Sequence, residues 1–253
     1  MTTTKGEIEI RTVSTADELV AVVDLLKQVW GSSTELVRLE MLLAIAHSGG
    51  YVSAAYTSNG PDPSDQIIVG ASVAILARHR DQPALHSHVT GLLPDARHLG
   101  IGRAIKMHQR DWAAKMGIDW IVWTFDPIVR RNAWFNIAIL GAKVQAYLPS
   151  FYGTMTDAIN AGDDSDRLLM EWDVRSDPST EPRDGSDIDD LGQSAQIDLV
   201  PTPADVVALR RTDPTAVAEW RQATRNSLTA ALSTGRPIVG FTSAGEYVIG
   251  ARP

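Results

Sequence analysis

The chain has 253 residues, 44% of them hydrophobic and 21% charged, and a net charge of −8 from 23 Lys+Arg against 31 Asp+Glu. This balance suits a globular domain, excludes a collagen-like or wholly disordered chain, and disfavours global attraction to nucleic acid or anionic lipid. Cysteine is absent, so disulfides, thiolate catalysis and Cys-built metal sites are excluded.

Residues 7–13, EIEIRTV, alternate apolar with polar and predict a strand. Thr15-x-x-Glu18 reads as a capping box, and Leu19, Val22, Val23, Leu26 and Trp30 follow at helical spacing up to Gly31. A second helix is predicted from Thr34 to about His47. Strands follow near Tyr51–Tyr56 and Gln66–Arg78, joined by the turn-rich TSNGPDPSD, and another covers 85–93, LHSHVTGLL. After a glycine-bearing loop, Ile101, Ile105, His108, Trp112 and Met116 form one helical face, with Lys106 and Arg110 on another. IDWIVWTF at 118–125 predicts a strand buried on both sides. Asp126-Pro127 predicts the start of a further helix ending at Gly141, since Asp favours the N-cap and Pro the first helical position. Strands near 142–148 and 167–174 complete this part.

The stretch 176–190 holds six acidic residues, two Pro and one Arg. It reads as a solvated linker. Helical patterns return near 203–211 and 214–234, then two short strands at 237–242 and 246–251. The expected organisation is 1–174 as one domain, 175–195 as an acidic linker, and 196–253 as a C-terminal helix-hairpin extension. That extension is too small for a sizeable core of its own. It is expected to pack on the domain or on the partner subunit of a homodimer. No apolar run nears the ~20 residues that span a bilayer. MTTTKGEIEIRTV lacks the apolar core of a signal peptide. The expectation is a cytoplasmic protein with no membrane and no nucleic-acid partner.

The most informative stretch is GLLPDARHLGIGRAIKMHQRDWA. It sets Arg97-x-x-Gly100-x-Gly102 between a predicted strand and an amphipathic helix. A helix N-terminus offers unpaired N–H groups and the positive end of a dipole, and glycines let backbone approach a phosphate closely. The amides of Gly100, Ile101, Gly102, Arg103 and Ala104 are therefore candidates to cradle a pyrophosphate, with Arg97 and Arg103 adding charge. An isolated G-x-G is more often a tight turn; the strand–loop–helix context favours the phosphate reading.

This motif resembles the pyrophosphate loop of the GNAT superfamily of acyl-CoA N-acyltransferases, and the element order over 7–174 is similar to that fold throughout. The implied fold class is α/β (α+β), a mixed, mainly antiparallel twisted sheet flanked by helices. LHSHVTGLLPDARHLGIG, WTFDPIVRRNAWFNIAILGA, YLPSFYG and PADVVALRRTDPTAVAEWRQATR further resemble a bacterial branch of GNAT proteins associated with N-succinylation of amino acids. The resemblance implies an acyl-CoA co-substrate, acetyl-CoA or succinyl-CoA. Backbone N–H groups near Leu92 and Leu93 would hold the thioester carbonyl, and a small-molecule amine would attack directly.

Direct transfer needs a neutral amine, oxyanion stabilisation and a proton for the leaving thiolate. His86 and His88 are the candidate bases. His86 lies eleven residues before Arg97, close to where some GNAT enzymes carry a catalytic carboxylate. The bland alternative is two strand histidines bonded to backbone or water. Two His at i, i+2 also hint at a metal, but no third ligand is evident and none is expected. Asp126 ends a central strand, yet helix capping accounts for it. Arg130 and Arg131 fall where a helix dipole disfavours cations. They are candidates for an anionic substrate group, or a solvated face. Many GNAT enzymes carry a Tyr acid where this chain has Ile137. Tyr147 and Tyr152 are the candidate substitutes, with packing as the alternative for each. The departure leaves a second reading open, a GNAT module that binds acyl-CoA without turnover. Histone or other protein acetylation is a third, weaker option. Trp112, Trp120, Trp123 and Trp134 read as packing, and His47 and His108 as structural.

Overall fold

The computed structural model describes residues 8–58, 66–97, 99–153, 163–176 and 197–251. The acidic stretch therefore lies almost wholly outside the described residues, as do most of the TSNGPDPSD loop and His98. The chain forms two compact units, Met1–Val122 and Trp123–Pro253.

In the first unit the order is β1 (Ile8–Thr12), α1 (Ala16–Trp30), α2 (Leu39–His47), β2 (Tyr51–Ser58), β3 (Gln66–His79), β4 (Gln82–Leu92), a 3-10 turn at Pro94–Ala96, α3 (Ile101–Lys115) and the first half of β5 (Trp120–Phe125). Strands β1 to β4 pair antiparallel with their chain neighbours. β5 runs parallel to β4 at Ala84↔Trp120, Leu85↔Ile121 and His86↔Val122. The mixed, mainly antiparallel sheet matches expectation.

The pleat divides the core. Val52, Ala54, Tyr56, Ala71 and Val73 pack with α1 and α2. Ala55, Val69 and Leu92 pack with Ile101 and Ile105 of α3, so α3 covers the opposite face. The capping box forms: the Glu18 carboxylate accepts from the Thr15 N–H at 3.2 Å and from its hydroxyl at 2.8 Å. The same carboxylate takes the Arg11 guanidinium, which holds it well below the ordinary range, at about 2.

Two local expectations change. α2 begins at Leu39 rather than Thr34: Arg38 before it is extended, and the Ser32 hydroxyl donates to the Thr34 carbonyl in a turn further back. The β3–β4 hairpin closes through Arg80 and Asp81, both at positive φ, so β4 starts three residues early. The α3 face bearing Lys106 and Arg110, distinct in sequence from the apolar one, is also buried, with both residues under 7% exposed.

In the second unit β5 ends at Phe125. α4 (Arg130–Ala133) runs into a π-helical stretch, Trp134–Ile139, and β6 (Lys143–Leu148) pairs antiparallel with β7 (Arg167–Asp173). The helix does not start at Asp126. That carboxylate instead accepts the Ile128 N–H at 3.1 Å, making a turn four residues ahead of α4. The C-terminal part comprises β8 (Asp198–Pro201), α5 (Val206–Thr212), α6 (Pro214–Ser233), β9 (Ile238–Phe241) and β10 (Glu246–Ile249). Its three strands form a separate sheet, β8-β10-β9. Asp205 and Asp213 cap α5 and α6 through the N–H groups of Ala208 and Ala216.

This C-terminal part packs within the second unit. Val206 and Val217 share a cluster with Ile128 and Val129. The Tyr247 hydroxyl donates to the Pro127 carbonyl at 2.6 Å. The hydrophobic contact is therefore backed by directional bonds to the segment between β5 and α4.

Candidate active site

Gly100 sits at φ +77°, a left-handed value that an L-residue adopts only at a cost, and immediately precedes α3. The glycine turns the chain so that the first amides of α3 open outward at the helix N-terminus. The Ala104 N–H donates to the Gly100 carbonyl at 3.1 Å and closes the first turn. Of the five amides expected to cradle a pyrophosphate, that of Ala104 is thus committed to the helix, which leaves those of Gly100, Ile101, Gly102 and Arg103 as candidates. Ile101 is fully buried and anchors the turn. Gly100 and Arg97 are exposed, and Arg103 is partly so. An added Cβ on Gly100 would meet no other protein atom within 4 Å, so open space lies over the loop.

The Leu93 N–H donates to the Val69 carbonyl at 2.9 Å. It is committed to β3, which corrects the expectation that it holds a ligand. Antiparallel pairing alternates bonded and non-bonded positions. The N–H of Leu92, paired with Gly70, therefore points to the other edge of β4.

β4 also carries a register break. Val73 opposes Val89 and Ala74 opposes Ser87, so His88 is the extra residue of a β-bulge. His86 is partly buried and His88 exposed. Burial, the His88 charge and the Lys106 charge lower the pKa of His86; desolvation by crowded protein atoms lowers that of His88. Both imidazoles are thereby biased to the neutral, proton-accepting form at neutral pH.

A buried polar network lies beneath this stretch. The Lys106 ammonium donates to Gln109 Oε1 at 2.7 Å and to Ser87 Oγ at 3.1 Å. Gln109 Nε2 donates to Ser72 Oγ at 3.2 Å, and Ser72 and Thr90 share a hydrogen bond at 2.8 Å. Burial pushes the Lys106 ammonium down to about 7. The sequence reading missed this network. Its signal was three small hydroxyl residues on otherwise apolar strands, facing polar residues spaced i, i+3 on α3. His108, expected to be structural, accepts or donates at 2.8 Å to the Tyr51 hydroxyl.

The second unit holds the remaining candidates. Tyr147 donates to Asp166, whose side chain is fully buried and also gripped by Arg225. Burial and the Asp166 carboxylate push the Tyr147 phenol up. Tyr152 is half exposed; its ring lies under Arg167, and its hydroxyl is 3.5 Å from Thr124 Oγ1. Arg130 donates to the Thr202 hydroxyl and carbonyl and lies against Gly245. It fastens α4 to the C-terminal sheet, so its guanidinium is engaged where an anionic substrate was expected. Arg131 beside it is exposed. Asp126, read from sequence as a cap, both accepts the Ile128 amide and binds Arg210 and Arg221. Ile137, where the resemblance implied a Tyr, is buried; neighbouring Asn136 accepts from the Trp123 indole at 3.1 Å.

Among the described residues no group of three His, Asp or Glu is placed to hold a metal, and no helix is long and apolar enough to cross a membrane.

No protein-family model matches the chain, and no curated protein matches it by sequence. Solved structures do match. NAA60 of Arabidopsis thaliana in complex with acetyl-CoA aligns at a TM-score of 0.53 and 13% identity, covering 67% of this chain and 100% of its own. The ribosomal-protein-S18-alanine N-acetyltransferase of Escherichia coli aligns at 0.51 and 14%, covering 69% and 98%. The yncA protein of Salmonella typhimurium, solved with its cofactor acetyl-CoA, aligns at 0.52 and 16%, also covering 69% and 98%. Over about two-thirds of its length, this chain has the fold of the GNAT acetyltransferases.

Proposed function

We propose that this protein is an acyl-CoA-dependent N-acyltransferase. The observation that carries the reading is the left-handed Gly100, which immediately precedes the first-turn amides of α3, with Arg97 and Arg103 on either side of it in the sequence. Such a turn suits a pyrophosphate, and that group is what a CoA thioester presents to a protein.

In this reading the diphosphate lies on the amides of Gly100 to Arg103, with Arg97 and Arg103 supplying positive charge. The acceptor amine attacks the thioester carbonyl: a C–N bond forms, the C–S bond breaks, and CoA leaves as a thiolate. The Leu92 N–H, directed away from β3, is the backbone donor for the developing oxyanion. His86 or His88 takes the proton released from the amine, since both are biased to neutrality. Tyr152 is the better candidate to protonate the thiolate, because Tyr147 is held by Asp166. Water serves the same role if Tyr152 does not.

The acceptor we favour is a small amine, an amino acid or a close analogue, with acetyl-CoA or succinyl-CoA as donor. Arg131 is the exposed cation left for a carboxylate once Arg130 is engaged. A polypeptide N-terminus is the second reading. It is favoured by the likeness to an enzyme described as acting on the alanine of ribosomal protein S18.

The test is a thiol-release assay crossing acetyl-CoA and succinyl-CoA with free amino acids and short peptides. Turnover with free amino acids supports the first reading, and turnover confined to peptides supports the second. CoA binding without thiol release for any acceptor would replace both with a non-catalytic binding module. Arg131→Ala should weaken a carboxylated ligand far more than an uncharged one; equal loss would remove that assignment.

A further inference from the structure

α3 carries two features at different depths. Its N-terminus presents the amides of Gly100 to Arg103. One and two turns on, Lys106 and Gln109 reach into the sheet. Their partners are not scattered. Ser87 and Thr90 stand on either side of the extra residue His88, and Ser72 lies across from Thr90 on β3. Lys106 binds Ser87, Gln109 binds Ser72, Ser72 binds Thr90, and Lys106 binds Gln109. The bulge is therefore gripped from both sides by a chain of side-chain bonds that ends on the helix of the phosphate loop.

This grip is costly in burial. Gln109 and Ser72 are fully buried, and Lys106 is 4% exposed. Apolar side chains of similar volume would hold α3 to the sheet at least as well. Hydrogen bonds add what apolar contacts lack, a fixed register between the joined atoms. At a bulge the extra residue is left unpaired and the ladder is locally disrupted, so side-chain bonds supply there a constraint that the backbone ladder does not.

We propose that Lys106 and Gln109 are positioning residues that lock the His88 bulge of β4 in register with the N-terminal amides of α3. They hold the histidine pair at a set distance from the bound thioester without touching it. This rests on the acyltransferase reading for its catalytic consequence, but the locking itself is a property of the free protein.

The experiment uses the full chain with Gln109→Leu, Gln109→Glu, Lys106→Met and the mild Ser72→Ala. The first readout is the imidazole and backbone NMR resonances of His86 and His88 in the ligand-free protein. The second is kcat, KM and acetyl-CoA affinity. Gln109→Leu and Ser72→Ala should move the His88 resonances. They should lower kcat tenfold or more for Gln109→Leu and several-fold for Ser72→Ala, with acetyl-CoA affinity within twofold of the parent. Gln109→Glu keeps an acceptor for Lys106 and one for the Ser72 hydroxyl, so it should restore most of kcat and the parental His88 resonances. A purely structural role would lower thermal stability without this rescue pattern. Unmoved His88 resonances in folded Gln109→Leu and Ser72→Ala proteins would overturn the proposal. If the parent shows no acyl transfer, the acyltransferase reading fails, and the NMR readout still decides the locking. Should Gln109→Leu not fold, Ser72→Ala and Lys106→Met carry the same decision.

Discussion

Arg221 grips Asp126 with both terminal nitrogens, at 3.1 and 3.0 Å, from ninety-five residues along the chain. Its Nε donates to Asp163 at 2.6 Å, and Arg210 joins the same two carboxylates. The four charges cancel, and the Arg221 side chain is 3% exposed. Removing one member leaves two buried carboxylates facing a single cation. Arg221→Met should therefore cost about 3–5 kcal/mol, read as a lowered urea midpoint at unchanged slope. A loss under ~1 kcal/mol would mean that water replaces the missing guanidinium.

The same cluster sets an acid limit. Burial pushes Asp163 up, but Arg221 and Arg210 outweigh it and the net shift is downward. Asp166 is likewise pushed up by burial and lowered on balance by Arg225 and Tyr147. Carboxylates lowered in the folded state add stability that is complete above their unfolded value. That stability is lost as pH falls through the folded one. Stability should hold near neutrality and decline below about pH 4, and Arg221→Met should flatten that decline. An equally steep decline in the variant would place the acid sensitivity elsewhere, for instance at Glu18, which Arg11 lowers to about 2.

Tyr147 and Tyr152 should separate cleanly. Tyr147→Phe strips a donor from the buried Asp166. It should cost about 1–3 kcal/mol of stability and leave kcat within twofold. Tyr152→Phe removes an exposed hydroxyl and should leave stability unchanged. Its kcat should fall tenfold or more if it protonates the thiolate. A Tyr152→Phe variant with parental kcat would give that proton transfer to water.

Much of this was legible in the sequence. The capping box at Thr15, the alternation of the strands and the strand–glycine–helix order around Gly100 are local signals, and each formed as read. What was illegible depended on distant partners. Asp126-Pro127 carries a helix-start signature, yet two arginines from α5 and α6 take its carboxylate and α4 starts later. Arg80-Asp81 closes a two-residue hairpin that usually asks for Asn-Gly, so composition hid it. Lys106 lies on a different face of α3 from the apolar residues that mark the helix in sequence. It is buried because Ser87 and Gln109 offer it oxygens, and no single-helix pattern reports that. Arg130 looked free for an anion because Thr202 is seventy-two residues away.

The histidines make a prediction in pH. Burial, then His88, then Lys106 lower the His86 value from its ordinary 6.5. The neutral imidazole thus persists to lower pH than in a free histidine. If His86 accepts the proton, kcat/KM should be flat near neutrality and fall with an acid limb centred below 6.5. His86→Ala should lower the plateau and remove the limb. The same treatment of His88→Ala tells which imidazole titrates. A parental limb in both variants would assign the two histidines to structure.

Gly102 gives the sharpest test of the loop. It is the second residue of α3 and, unlike Gly100, is not at positive φ. Valine is a better helix former than glycine by a few tenths of a kcal/mol, so Gly102→Val should leave stability unchanged or slightly raised. Its branched side chain would stand among the amides of Ile101 and Arg103, where a diphosphate must approach. Acetyl-CoA affinity should fall tenfold or more by calorimetry, with the circular dichroism spectrum unchanged. Gly100→Val is a less clean probe, because φ +77° imposes roughly 1–2 kcal/mol of strain on a residue with a Cβ. A Gly102→Val protein that binds acetyl-CoA with parental affinity would move the diphosphate away from the α3 N-terminus.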